Sequence, residues 1–162
     1  MTRITKIRKG EYVNTRGILA ALILLALVGA FYGGQNATRD TNNVIVEEGN
    51  MSVFSITVGD CLTLPDSRTE FSSILATPCG NPHDAEVFFE FEFSLAAYDA
   101  DLIAEAADER CSANFEGYVG LPYIESIYYV NHFTPTYESW QEAGDRSIQC
   151  LILGDGTSKI VG

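Results

Sequence analysis

Three sets of residues in this chain could do chemistry. The first is His83, Asp84 and Glu86, in the string Pro82-His83-Asp84-Ala85-Glu86-Val87. An imidazole beside two carboxylates is the material of a metal site or of a general base. His83 and Glu86 are three residues apart, a useful separation on a helix. The residues that follow alternate in the manner of a strand, however, and period two sends the pair to opposite faces. The only other histidine is His132. The cluster therefore reads as a hydrogen-bonded turn that locks the entry to a strand, with metal binding as the alternative. The second set is Asp145-Arg146, after Gly144. Its guanidinium could hold a ligand carboxylate or phosphate, but the reading adopted is an internal Arg–carboxylate clamp.

The third set is the four cysteines, Cys61, Cys79, Cys111 and Cys150. None forms a Cys-x-x-Cys pair, which argues against zinc and against thioredoxin-like redox chemistry. An even number, all following an apolar N-terminal run, points to disulfides in an exported segment. With the thiols committed to bridges and no Gly-x-Ser-x-Gly elbow present, no nucleophile is left. The expectation is a protein that is not an enzyme, with no catalytic residues, no metal and no cofactor.

The elements that must position these groups are legible from periodicity. From Glu86 the pattern has period two, with Val87, Phe89, Phe91 and Phe93 on one face and Glu86, Phe88, Glu90 and Glu92 on the other. So many phenylalanines need a partner layer, which predicts a central strand. One helix is expected, from Asp99 or Asp101 to about Glu116. Ile103, Ala107, Cys111 and Phe115 form its buried stripe, Leu102 and Ala106 widen it, and Gly117 and Gly120 end it. Further strands are expected at Ser73–Ala76, Ser126–Phe133, Arg146–Leu153 and Lys159–Val161, with a short helix from Thr136 to Glu142. Two adjoining antiparallel strands bring Cys61 opposite Cys79. Cys111 points at the sheet, where Cys150 can meet it. Trp140 is expected in the core, and one of Tyr128 and Tyr129 at the surface.

The fold class that follows is α+β: an antiparallel sheet of five or six strands, one main packing helix and two disulfides. An N-terminal transmembrane helix is added to it. Residues 1–17 carry five of the ten basic residues and read as a cytoplasmic tail. Residues 18–33 are apolar and read as a signal anchor, with a cleaved signal peptide as the rival reading. Residues 34–53 read as a linker, in which Val44–Val46 could form a brief edge strand, and 54–162 as the extracytoplasmic domain. The positive-inside rule gives a single-pass protein of the cell membrane, N-terminus inside. Beyond the apolar run, five basic residues face 21 acidic ones. That balance excludes nucleic acid as a partner, since phosphates demand Lys and Arg.

Four landmarks occur together: Val58-Gly59-Asp60-Cys61; Pro78-Cys79 through Pro82-His83-Asp84-Ala85-Glu86-Val87; the helical Cys111 with Phe115 and Tyr118; and Trp140 through Gly144-Asp145-Arg146 to Cys150. Over roughly residues 54–162 they resemble the septum-formation domain family of actinobacterial cell-envelope proteins. The resemblance implies a membrane-attached domain facing outward, linked to division or envelope assembly, and brings no catalytic residues. The functional expectation is a non-catalytic accessory module with a protein partner in a membrane complex, whether of division and cell wall or of respiration. The alternative is a domain that binds a small ligand or a cation.

Overall fold

The computed structural model describes residues 36–65 and 71–162. The tail and transmembrane helix expected over residues 1–33 lie outside them. Among the described residues no helix is long and apolar enough to cross a membrane.

Among the described residues the fold has eight strands and one long helix. Strands β1 (Thr38–Arg39) and β2 (Ile45–Glu47) pair as a small antiparallel ribbon. Strands β3 (Gly49–Ser52), β4 (Cys61–Thr63), β5 (Ser73–Thr77), β6 (Ala85–Glu92), β7 (Tyr129–Phe133) and β8 (Ser147–Leu153) form an antiparallel sheet in the order β3-β5-β4-β6-β8-β7. The aromatic strand β6 is therefore central, as its composition requires, and the sheet has six strands. Helix α1 (Ala100–Val119) packs across one face. Asp99 caps its first turn by accepting from the amides of Asp101 and Leu102, and Gly120 ends it at φ 78°. Its buried residues are Ile103, Ala106, Ala107, Cys111 and Phe115, the expected stripe. Leu102, expected to widen it, is exposed instead.

The expected alternation along β6 fails at one point. Between Val87 and Phe89 the register against β8 slips: Val87 faces Leu151, but Phe89 faces Cys150. This is a β-bulge, one extra residue on one strand. It separates Val87 from the three phenylalanines with which it was grouped. Val87 packs with Ala85, Leu62, Ile74, Ala76 and Leu151 on the face away from α1. Phe88, expected on the glutamate face, instead joins Cys111, Phe115, Cys150 and Ile152 beneath the helix, with Phe89 and Phe91 alongside. Farther along, Phe91 and Phe93 pack with Ile103, Ala107, Trp140 and Ile148. Glu90 and Glu92, opposite Gln149 and Ser147, stay on the other face.

Both expected disulfides are present. Cys61–Cys79 staples β4 to the end of β5, and Cys111–Cys150 bolts α1 to β8, with a Cα separation close to 5 Å in each. In the loop-entropy model the two closures contribute roughly 3 and 4 kcal/mol. Three boundaries differ from the sequence reading. Helix α1 runs on through Gly117, expected to help end it, to Val119. Strand β7 starts only at Tyr129, because Tyr123–Glu125 forms a 3-10 turn. The last strand is reduced to a single bridge between His83 and Ile160. Tyr128 is half-buried and Tyr129 exposed, as their alternation demands.

The stretch expected as a linker is largely folded. Its strand β3 pairs with β5 at the sheet edge, and Ile45 is buried in the core. Arg39 explains why. Its guanidinium holds the Asp60 carboxylate by two bonds of 2.6 Å and also donates to the carbonyls of Asn43 and Ser55. The two side chains are only 19% and 3% exposed. Asp60 also accepts from the Thr57 amide. Its hydrogen bonds to Arg39, and then its charge, raise the Arg39 pKa against the opposing effect of burial. Removing one member of such a pair strands a buried charge. Arg39→Ala is thus expected to lower unfolding free energy by about 3 kcal/mol in a denaturant titration. A neutral result would mean that this segment is not part of the cooperative unit.

Candidate functional site

The structure separates the expected polar residues into two places. His83, Asp84 and Glu86 gather on the Cys61–Cys79 side of β6; Asp145 and Arg146 lie at the other end of the sheet.

Around His83 the backbone is tightly tied. Its N–H and C=O exchange bonds with Ile160, of 3.0 and 2.8 Å, and the Gly162 amide donates to the Cys79 carbonyl. The C-terminal segment thus lies across the turn. The His83 ring is fully buried. Nδ1 is 2.9 Å from the Asn81 carbonyl, while Nε2 has no hydrogen-bond partner among the described residues. Asp84 accepts from the Leu64 amide and from Lys159, which binds it at 2.5 Å. These contacts tie the turn to the segments beside it. The expected separation of His83 from Glu86 is not observed. His83 precedes the first residue of β6, Ala85, so strand alternation does not reach it. Glu86 lies opposite Cys61 across β4 and β6. A ring nitrogen of His83, a Glu86 carboxylate oxygen and Cys61 Sγ all lie within 4.8 Å of one another.

Glu86 has a further partner that the sequence did not reveal. Tyr118, in the last turn of α1, donates its hydroxyl to Glu86 in a very short bond, and its ring tilts against Phe88. Burial, then the hydrogen bond to Glu86 and that residue's charge, push the Tyr118 pKa well above the ordinary phenol value. The Asp145–Arg146 expectation needs a different correction. Arg146 does not clamp a carboxylate. Its Nη1 donates to the carbonyls of Trp140 and Asp145, and its guanidinium stacks 3.4 Å above the Trp140 ring. The Asp145 carboxylate instead accepts from Ser139 Oγ and the Ser147 amide. The reason is local. A π-helical turn over Ser139–Ala143 closes at Gly144, φ 67°, and turns Trp140 inward under Arg146. The Thr136 hydroxyl accepts from the Ser139 amide, the cap expected for this turn.

That turn forms one wall of an open groove of about 1080 Å³ on the sheet face away from α1. Glu90, Gln149 and Phe133 line it, together with Phe54, Tyr98 and Tyr137. Its acidic members are Glu90, Glu92, Glu138, Glu142 and Asp145, with Arg146 as the guanidinium among them. Glu90 is engaged by Ser147 and Gln149, and Asp145 by Ser139 and Ser147. Glu92, Glu138 and Glu142 are exposed and make no side-chain hydrogen bond among the described residues. Phe54 and Tyr137 are also exposed. The bulge that aims Glu90 and Glu92 into this groove left no trace in the sequence pattern.

The septum formation family matches residues 58–160, well over half the chain and including all four cysteines, the His83 cluster and Trp140 to Arg146. The chain belongs to the septum formation family. It is also 25% identical over 118 residues to a protein of Mycobacterium tuberculosis called an uncharacterized membrane protein, found alike in strains CDC 1551 and H37Rv. The match covers 66% of this chain but 26% of the relative, so the chain spans about a quarter of that protein's length. No solved structure matches. Within the family's matched segment lie both disulfides and the whole of the sheet except β3.

The Tyr118–Glu86 bond carries a pH signature. A phenol whose folded-state pKa exceeds its unfolded value near 10 binds its proton more tightly in the folded state. The stability it contributes is fully present below about pH 10 and is lost as pH rises from there toward the folded value. Denaturant titrations from neutral to alkaline pH are expected to show this loss in the native protein and a smaller one in Tyr118→Phe. Identical profiles would mean the hydroxyl is not held by Glu86 in solution.

Proposed function

We propose that this protein is a membrane-tethered, non-catalytic interaction module, and that the groove is where it receives its partner: a basic, extended segment of another protein in an envelope complex. One observation carries the reading: the groove joins exposed aromatic surface, Phe54 and Tyr137, to three carboxylates that the fold leaves free. Free carboxylates on a rigid frame attract Lys and Arg, and aromatic side chains add apolar contact at little entropic cost. The same arrangement repels nucleic acid.

Several observations support the tether and the setting. The N-terminal apolar run is preceded by basic residues. The relative is named as a membrane protein, and the family carries the name of septum formation. Two disulfides suit an oxidising compartment. A division or cell-wall complex is the reading that the family name favours; an accessory place in a respiratory complex uses the same surface. The non-enzymatic reading rests on what the polar residues are already doing. Asp84, Asp145, Arg146 and Glu90 are engaged in holding strands and turns.

A photo-reactive phenylalanine analogue at position 137 of the full-length protein, in its native membrane, tests this directly. The expected result is a cross-linked adduct on a Lys- or Arg-rich segment, weakened at raised ionic strength and reduced at least tenfold by Glu138→Lys with Glu142→Lys. Those two exposed substitutions leave the core intact. Absence of an adduct, or an adduct indifferent to the charge reversal, would remove the groove as the docking face.

A further inference from the structure

We propose that Cys61 and Cys79 form a redox gate over a zinc site, which His83 and Glu86 complete once the disulfide is opened. Ligand placement supports this first. Cys61 Sγ, a His83 ring nitrogen and a Glu86 oxygen lie within 4.8 Å of one another; Cys79 Sγ stands outside that group, bonded to Cys61, and turns in to join it when the bridge opens. Two thiolates, one imidazole and one carboxylate make a four-ligand set of the kind Zn2+ takes.

The state of His83 is the second support. It is completely buried, yet its Nε2 has no partner among the described residues, a cost that folded proteins rarely leave unexplained. Meanwhile Nδ1 faces the Asn81 carbonyl at 2.9 Å. A carbonyl that holds one ring nitrogen fixes the tautomer and leaves the other lone pair available, the arrangement found behind metal-bound histidines. Tyr118 orients Glu86 in the same way.

The third support is the asymmetry between the two disulfides. Cys111 and Cys150 are both fully buried beneath α1, whereas Cys79 is only half-buried. A thiolate from solution can therefore approach Cys79 but not the second bridge. One thiolate of a dithiol reductant of the Cys-x-x-Cys class attacks Cys79 Sγ, and Cys61 leaves as a thiolate. The reductant's second thiol then breaks the mixed disulfide and departs as the reductant's own disulfide, with two electrons and two protons delivered to Cys61 and Cys79. Zn2+ displaces those two protons on binding. With the bridge closed, the sulfurs lack thiolate charge and the site stays shut. This inference is independent of the groove, which lies at the other end of the sheet.

The test uses the full-length protein in mild detergent, treated with a limiting dithiol. Alkylation and peptide mass mapping identify preparations in which Cys61 and Cys79 are open and Cys111–Cys150 is closed. Co2+ then serves as the spectroscopic probe, with Zn2+ in competition. The reduced protein is expected to bind one Co2+ per chain with thiolate charge-transfer absorption, while the oxidised protein binds none there. In wild-type protein, a hyperfine-shifted exchangeable proton is expected from the His83 Nδ1–H. His83→Ala is expected to weaken binding at least tenfold; if that variant does not fold, Glu86→Gln should weaken it in the same direction. A mapped, opened protein without the absorption would overturn the proposal. So would binding that shows no histidine resonance and is unchanged in the folded variants.

Discussion

One extra residue in the central strand governs how this domain is divided. The bulge between Val87 and Phe89 rotates the second half of β6 relative to the first. Without it, Val87 and the phenylalanines would point the same way, and the glutamates would lie under the helix. With it, Phe88, Phe89, Phe91 and Phe93 all lie on the helix side, while Glu90 and Glu92 turn to the opposite face. Burying a carboxylate against an apolar helix would cost several kcal/mol, so the slip resolves a conflict that strict alternation would create. The aromatic layer and the acidic groove are consequences of the same local irregularity.

Around that strand the remaining parts act as clamps. Cys111–Cys150 fixes the helix to β8, and the guanidinium of Arg110 covers the Phe91 ring at 4.7 Å. Cys61–Cys79 and the His83–Ile160 pair close the other end, where the chain terminus crosses the turn. Arg39 gathers the β1–β2 ribbon against Asp60, so the folded unit begins well before the segment that defines the family. Each clamp joins residues far apart in sequence. A small sheet with one helix has limited apolar area to bury, and such cross-links make up part of the difference.

The two functional readings draw on different physics and different ends of the molecule. At the groove, charge is free and aromatic surface is exposed, conditions for recognising another chain. At the His83 cluster, polar atoms are buried and one is left unpaired, conditions for holding a cation once the sulfurs become thiolates. A rigid frame serves both, because neither a docking face nor a ligand set survives much local motion.

What the sequence determined by itself was whatever depends on local pattern or on composition. The stripe Ile103, Ala107, Cys111 and Phe115 marked the helix and its buried face, and the aromatic density of β6 placed it centrally. Cysteine positions beside predicted elements were enough to pair both bridges, and the septum-formation landmarks named the family. Only the tertiary structure decided the rest. A bulge is set by how two strands register against each other, so the reversal of Phe88 and Val87 left no trace in period-two counting. Arg146 chose an indole and two carbonyls over a carboxylate because a π-helical turn brought Trp140 beneath it. His83 met Cys61 and Glu86 because the turn before β6 is not bound by strand alternation and is held by its backbone bonds to Ile160. Local propensity acts between near neighbours, whereas a side chain's partner is chosen by whichever distant segment packs against it.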